Sequence, residues 1–425
     1  MRYAIIGNSY AAVGAVEGIR SVDGSGEIDI YSDEPYQAYA RPLISYFLEG
    51  RVVEDQMFYR TNEFYSKYNS HCWYCRVDRV DVEKQTIYFE DGESHQFDKL
   101  LICSGSKPFI PPIKGIHSNN VMGFKKWDDA KKLQYLATVN NKVIVLGGGL
   151  IGVKAAESLR NLGLNVSIIS KGPRVLHLIL DELAGEMVKK SLSSGGVDIL
   201  TGFNPIEVLS DDDSDVKAIK LENGDILPCE ILIVGKGVRP NIEFLGKESL
   251  EINNGIAVDR HMKTSADNVY AAGDVAEAWD LLSNENRVIS IAPLAFEQGK
   301  VAGANMAGRA QIYQGGVPMN SIEIFGLSVM SIGLASQQTD GCEEVVCQNG
   351  DVYRKFVFSD NRLVGAILVG EIDNAGILTT LIRSQNDITK IKEKLCNVII
   401  KNGDFVSIIP NVVGWGNEAR KREFA

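Results

Sequence analysis

No stretch of the 425 residues approaches the ~20 consecutive apolar residues of a membrane span. The opening MRYAIIGNSY lacks the pattern of an export signal, because Gly7 interrupts its apolar run at once. Positive charge is in deficit, and the net charge of −11 argues against a general binder of nucleic acid or of anionic membranes. Histidine is scarce: the five, at 71, 95, 117, 177 and 261, are scattered and suggest no metal site. Cysteine is sparse, seven at irregular spacings, so reduced thiols in a cytoplasmic protein are expected. Cys72 and Cys75 do form a CxxC, but YNSHCWYCRVDRV is rich in aromatic and extended formers. On a strand, residues i and i+3 face opposite sides, so two diverging thiols are expected there rather than a metal or redox pair. Low-complexity segments are also missing. DDDSD at 211–215 reads as an acidic surface turn, and the terminal EARKREFA as a solvated charged end.

What is present is a globular composition, 45% apolar and 23% charged, on a chain long enough for two or three domains. The same unit occurs twice. RYAIIGNSYAAVGAVEGIRSVDGSGEIDIYS and KVIVLGGGLIGVKAAESLRNLGLNVSIIS each read as apolar strand, small-residue turn, helix and second strand. Each is a βαβ unit, which requires a parallel sheet. The likeness continues downstream, where an Asp91-Gly92 and an Asn223-Gly224 hairpin signal stand in matching places. From Gly92 to Gly105 to Pro108, and from Gly224 to Gly237 to Pro240, the chain steps through the same spacing. We read an internal duplication with two nucleotide sites. The last part of the chain is strand-rich, with a hairpin expected in DVYRKFVFSDNRLVGAILVG and no cofactor fingerprint.

The second unit has the complete turn. Gly147, Gly149 and Gly152 stand as GxGxxG between strand and helix, with Leu150 and Ile151 opening the helix. Glycine allows the tight turn and the close approach of backbone to a pyrophosphate, and the helix start offers unpaired N–H groups. In the first unit Gly7 remains, while Ser9 and Ala12 replace the other glycines and leave the turn feasible. Asp33, and after it Glu34, follow the next strand, where a carboxylate can accept from a ribose diol.

These residues carry a resemblance to the FAD-dependent pyridine-nucleotide oxidoreductases, over nearly the whole chain. GNSYAAVGAVEGIR resembles the FAD turn, placing Gly7, Asn8, Ser9, Ala11 and Ala12 at the cofactor. DEPYQAYARPLIS resembles the stretch whose acid and arginine contact FAD, here Asp33 and Arg41. LLICSGSKP resembles the strand-to-loop crossing with Ser104 and Gly105, and Val80 and Gly237 belong to the same implied set. VYAAGDVAEAWD resembles the second FAD motif, with Gly273 and Asp274 toward the ribityl-phosphate region. PLAFEQGKVAG, with Pro293 and Ala295, resembles the helix aimed at the flavin ring. The subgroup it looks most like is that of ferredoxin and rubredoxin reductases and the flavin part of NADH-dependent nitrite reductases. The resemblance implies an α/β fold of two Rossmann-like domains plus a C-terminal α+β domain. The expected boundaries are 1–112 with 238–312 for FAD, 113–237 for NAD(P), and 313–425 for a C-terminal interface domain.

The departures from that pattern are informative. The reactive cysteine of the disulfide-reducing relatives is missing from YQAYARPLISYFLEG, where Pro42 stands near its place, so thiolate chemistry at the flavin is not expected. The lysine of ferredoxin reductases after Arg-Pro and their glutamate after GxGxxG correspond to Tyr46 and Lys154. A cation that favours reduced flavin is therefore expected at Lys154 unless its side chain snorkels to solvent. The second strand of the second unit ends in Ser170 and Lys171 rather than an acid, with Arg174 close behind, which leaves NAD(H) and NADP(H) both open as co-substrate. The expected activity is electron transfer between a nicotinamide nucleotide, FAD and an iron–sulfur carrier. The alternatives are the flavin subunit of a larger redox complex, of nitrite reductase or tungsten aldehyde oxidoreductase type, and a redox-sensing flavoprotein similar to apoptosis-inducing factor. A homodimer or larger complex through the C-terminal domain is a further expectation.

Overall fold

The structure is a computed structural model that describes residues 1–137, 141–246, 249–336 and 341–396. The chain divides into two compact units, one of Met1–Leu146, Asn161–Leu164 and Pro205–Gly316, the other of Gly147–Arg160, Asn165–Asn204 and Val317–Ala425.

The first unit is built on a five-stranded parallel sheet, in the order Val269–Ala271, Lys99–Ile102, Arg2–Ile6, Glu27–Tyr31, Ser70–Trp73. Its central strands are continuous apolar runs because both faces are covered: Ile5, Leu100, Leu101 and Ile102 are buried completely. Helix Tyr10–Arg20 lies against helix Ala292–Met306 with almost no side chain between them. A Cβ on Gly14 would stand 2.2 Å from the Phe296 carbonyl oxygen, and one on Gly299 2.0 Å from that of Ala11. Strands Lys142–Leu146 and Ile231–Val234 run parallel, and Val121–Met122 adds to the latter. Both expected hairpins form, with Gly92 at φ +89° and Gly224 at φ +92°. The repeated Gly…Pro segments of the two halves pair with each other, Ser106–Pro108 antiparallel to Val238–Pro240. Asp211 to Asp215 form the acidic turn between strands Pro205–Ser210 and Val216–Leu221. Cys72 ends up inside strand Ser70–Trp73 and Cys75 just past it, both as free thiols.

The second unit holds helix Leu150–Asn161, the parallel strands Asn165–Ser170 and Val197–Thr201, and helix Glu182–Ser194. It also holds a five-stranded antiparallel sheet in the order Met319–Ile324, Leu327–Gly333, Arg362–Val369, Val352–Ser359, Glu343–Asn349. The expected C-terminal hairpin is its turn at Asp360 and Asn361, both at positive φ. Helix Ala375–Ser384 covers the sheet with Leu378, Leu381 and Ile382. Here the expectation of seven reduced thiols meets a correction. Cys347, on the edge strand, is disulfide-bonded to Cys396, in the turn Lys392–Cys396 that folds back onto it. The partners are 49 residues apart, too far for spacing to announce the pairing. Among the described residues no helix is long and apolar enough to cross a membrane. The terminal EARKREFA lies outside the described residues.

Candidate functional site

Gly7 closes strand Arg2–Ile6 at φ +110°, and a Cβ there would stand 2.2 Å from the Cys103 carbonyl oxygen. Only glycine fits both demands. Asn8 is held by the protein: its amide donates to the Tyr36 carbonyl at 3.2 Å and to Cys72 Sγ at 3.4 Å, and its carbonyl accepts from the Tyr65 hydroxyl. Ser9 makes no side-chain cap, and the first turn of helix Tyr10–Arg20 contains no acid. Ala11 and Ala12 are buried. In the second unit Gly147 repeats the geometry at φ +123°, its N–H donating to Ile169 at 2.8 Å, with open space over Gly149 and Gly152 buried in the helix that Leu150 and Ile151 begin. That helix also lacks an acid in its first turn, as does helix Ala292–Met306, which begins around Pro293 without a side-chain cap. Two helices without the motif do carry negative charge at the start: Asp181 caps Glu182–Ser194, and Asp128 and Asp129 open Trp127–Leu136. The three fingerprint helices thus start without negative charge, and Tyr10–Arg20 and Ala292–Met306 without a side-chain cap, which suits an anion.

Gly273 sits at φ +79° where two of these helices begin. A Cβ on it would lie 3.4 Å from that of Ala295 and 3.5 Å from that of Ala11. Its N–H is fixed by the buried Gln298 side chain at 2.8 Å. Asp274 accepts from the Ser106 hydroxyl at 2.7 Å and lies 3.6 Å from the Lys125 ammonium. Lys125 also donates to the Ser106 carbonyl and hydroxyl. Burial lowers its pKa to about 8, against the pull of Asp274, with Arg41 adding repulsion. Arg41 pairs with Glu34 at 2.5 Å and touches the Tyr39 hydroxyl at 2.9 Å, and that hydroxyl donates to the second Glu34 oxygen at 2.6 Å. Glu34 therefore spends both oxygens positioning Arg41. Asp33 is exposed and pairs with Lys126 at 2.9 Å. Asp129 accepts from the backbone N–H groups of Lys125 and Lys126 and so aims both lysines. Ser104 donates to the Asn241 carbonyl at 2.7 Å, beside Gly105 at φ +68°. Val80 is buried and its N–H is taken by Phe244, while the Gly237 carbonyl accepts from Phe109.

Tyr46 is half-buried on the short helix Ile44–Leu48, with the Arg51 guanidinium 4.6 Å above its ring. Lys154 does not snorkel to water. Its side chain is 15% exposed, pairs with Glu157 and donates to the Glu323 carbonyl at 3.1 Å. Glu157, 4% exposed at the side chain, also accepts from the Phe325 N–H at 2.6 Å. Ser170 is buried and Lys171 exposed at the end of their strand. Lys125, Gln298 and Glu157 went unnoticed in the sequence. Lys125 shows no signal within GFKKWDDA; Lys125 and Gln298 meet their partners only through distant segments, and Glu157 has one partner a turn away, Lys154, and one distant, Phe325.

A family model described as pyridine nucleotide-disulphide oxidoreductase matches residues 1–299, and one described as rubredoxin NAD+ reductase C-terminal domain matches residues 318–386. The chain is 30% identical over 400 residues to the NADH-dependent phenylglyoxylate dehydrogenase subunit epsilon of Aromatoleum evansii, covering 92% of this chain and 94% of that one. It is 29% identical to the assimilatory nitrate reductase electron transfer subunit of Bacillus subtilis, covering 93% of this chain but 51% of the relative. In structure it is similar to a NAD-dependent persulfide reductase from A. fulgidus, with a TM-score of 0.84, 25% identity, and coverage of 91% of this chain and 77% of that one. The chain is an FAD-dependent NAD(P)H oxidoreductase and belongs to the pyridine nucleotide-disulphide oxidoreductase family.

Proposed function

We propose that the chain carries electrons between a nicotinamide nucleotide and an iron–sulfur carrier protein by way of one FAD. The observation that supports this most is the pair of glycine turns, at Gly7 and Gly147, each opening a helix with no acid in its first turn, with the Asp274–Lys125–Arg41 constellation in the same unit as the first. FAD, when bound, takes two electrons at once from the nicotinamide and releases them singly. The residues present fit that group: free N–H groups at the start of helix Tyr10–Arg20 and the cations Arg41 and Lys125 suit its pyrophosphate, and Asp33 suits a ribose diol. Asp274, oriented by Ser106, suits a hydroxyl of the ribityl chain. Tyr46 and Lys154 remain our assignments for shaping the environment of the reduced ring. The second unit's Gly147, Gly149 and Gly152 hold the nicotinamide nucleotide, in a proposed division at 112, 237 and 312 where Lys125, within 113–237, serves the FAD assigned to 1–112 and 238–312.

A second reading makes the chain the flavin subunit of a larger redox complex. It is favoured by the relative matched over 94% of its length, which is itself named as a subunit. Both readings place the chain in the cytoplasm, where reduced nicotinamide nucleotides are found. The test is anaerobic titration of purified protein with NADH or NADPH, followed by addition of oxidised rubredoxin or ferredoxin. One FAD per chain, bleached by nucleotide and reoxidised by the carrier, is expected. A protein without FAD, or one bleached but never reoxidised by an iron–sulfur protein, would sink the proposal. Isolation from the native host as part of a stable assembly would select the second reading.

A further inference from the structure

The second strand of a dinucleotide-binding βαβ unit ends at the adenosine ribose, so the residues just past that strand read its 2′ position. In this chain the strand Asn165–Ser170 ends without a carboxylate. Ser170 is buried, and a Cβ built on Gly148 would lie 3.3 Å from its hydroxyl oxygen, so it abuts the glycine turn. The loop that follows folds back over the same turn, because the Leu176 N–H donates to the Gly148 carbonyl at 2.7 Å. Residues 171–180 contain no acid but three basic side chains, Lys171, Arg174 and His177.

The structure separates these three. Arg174 is committed elsewhere: its guanidinium donates to the carbonyls of Asp181 at 3.2 Å and Leu180 at 3.1 Å, and its Cδ lies 2.8 Å from where a Cβ on Gly185 would stand. His177 packs against the loop at Gly172, where a Cβ would meet its ring at 2.5 Å. Asp181, the first acid after the loop, has its carboxylate occupied by the Ala184 N–H and by the Tyr353 hydroxyl at 2.5 Å. Lys171 is exposed, and among the described residues it has no ion-pair partner.

We propose that the nucleotide site prefers the 2′-phosphorylated form, NADPH, with Lys171 as the cation that meets the 2′-phosphate, His177 as a second donor on the same loop, and Arg174 as a purely structural group. This rests on the reading of the second glycine turn as the nicotinamide-nucleotide site. A 2′-phosphate is a dianion that gains from an unpaired ammonium and would be repelled by a carboxylate. The free 2′-hydroxyl of NADH instead wants a carboxylate acceptor, and Ser170 offers only one buried, neutral oxygen. A preference for NADPH would set this chain apart from the relative whose name carries NADH.

The test uses FAD-loaded protein and two fragments that differ only in the 2′-phosphate, adenosine 2′,5′-bisphosphate and 5′-AMP, titrated by calorimetry. The bisphosphate should bind more tightly. Lys171→Met should lower the ratio of the two affinities by about tenfold while leaving 5′-AMP nearly unchanged, the loss of one charge-assisted contact. Arg174→Gln should leave the ratio as it is. Anaerobic bleaching of the flavin should then be more efficient with NADPH than with NADH. Equal affinities in the parent protein, an unchanged ratio in Lys171→Met, or a ratio that moves with Arg174→Gln would each overturn the inference. If NADH alone bleaches the flavin, the specificity fails and the oxidoreductase reading stands. If neither fragment binds and neither nucleotide bleaches the flavin, the underlying reading fails and takes the inference with it.

Discussion

Lys125 is a largely buried cation, its side chain 15% exposed, that is attracted by Asp274 at 3.6 Å and repelled by Arg41. Its pKa in the free protein falls to about 8, chiefly through burial, so between there and the ordinary lysine range the folded chain binds fewer protons than the unfolded one. The sign follows: the fold bears a penalty for charging Lys125 below pH 8, and that penalty is relieved as pH rises through this window. An FAD pyrophosphate held by Lys125, as proposed, would reverse the balance by keeping the proton on. FAD binding should therefore be tighter below pH 8 and weaken as pH rises through that value, and Lys125→Met should bind FAD more weakly and flatten the profile. Fluorescence titration of apoprotein with FAD at several pH values checks both; a profile equally steep in Lys125→Met would disprove the linkage. Lys154 poses a different residue problem. Removing its charge strands Glu157, whose carboxylate is almost fully buried, and breaking such a pair costs about 3–5 kcal/mol. Lys154→Met should thus lower the melting temperature as well as any rate of flavin reduction. Adding Glu157→Gln should restore stability, and a hydride-transfer rate that recovers with it would show that Lys154 acts only through the fold.

At the level of elements, much was legible because the signals are local and steric. Gly7 and Gly147 must turn the chain at positive φ, and the Asp91-Gly92 and Asn223-Gly224 hairpins fix their registers within a few residues. The contact between helices Tyr10–Arg20 and Ala292–Met306 was written in glycines at 14, 18, 299 and 303, but their meaning depends on the two helices being neighbours some 280 residues apart, a fact no local pattern contains. Gly299→Ala would drive a methyl group into the Ala11 carbonyl, at the start of the first fingerprint helix. Overpacking of this kind costs typically 1–3 kcal/mol, so a lower melting temperature together with faster FAD loss is expected. An alanine variant that melts and binds FAD like the parent would show that the helices separate freely. The Cys347–Cys396 link has the opposite character, since it closes a loop of 49 residues between an edge strand and the last described turn. A loop of this size is worth about 4 kcal/mol on the chain-entropy account. Cys347→Ser, or dithiothreitol on the parent, should destabilise the C-terminal sheet by a similar amount in calorimetry, with the FAD spectrum unchanged.

For the whole molecule, the sequence yielded the fold class and the cofactors because duplicated turns and hairpins carry them, whereas the charge network around Asp274 needed segments from residues 34, 41, 106, 125 and 274 to converge. That same difference decides what the missing cysteine means. The family is named for disulfide chemistry, yet the stretch after the first unit's second strand, YQAYARPLISYFLEG, contains no thiol. The thiols that do lie in this unit are poorly suited to replace it. Burial pushes Cys72 up to about 11 and Cys75 likewise, and Cys103 and Cys229 are pushed up further still. A thiol whose pKa is raised stays protonated below that value, and the protonated form is a poor nucleophile. Iodoacetamide at neutral pH should therefore leave NAD(P)H-dependent turnover with an iron–sulfur acceptor intact, and a variant with Ala or Ser at Cys72, Cys75 and Cys103 should keep turnover within about threefold of the parent once its stability is matched. Cys72 is the informative position, because its sulfur accepts from Asn8 in the first glycine turn. A loss above about tenfold in Cys72→Ser, which retains an acceptor for Asn8, would show that sulfur takes part in the reaction. The same loss in Cys72→Ala alone would mean only that the turn requires its hydrogen bond.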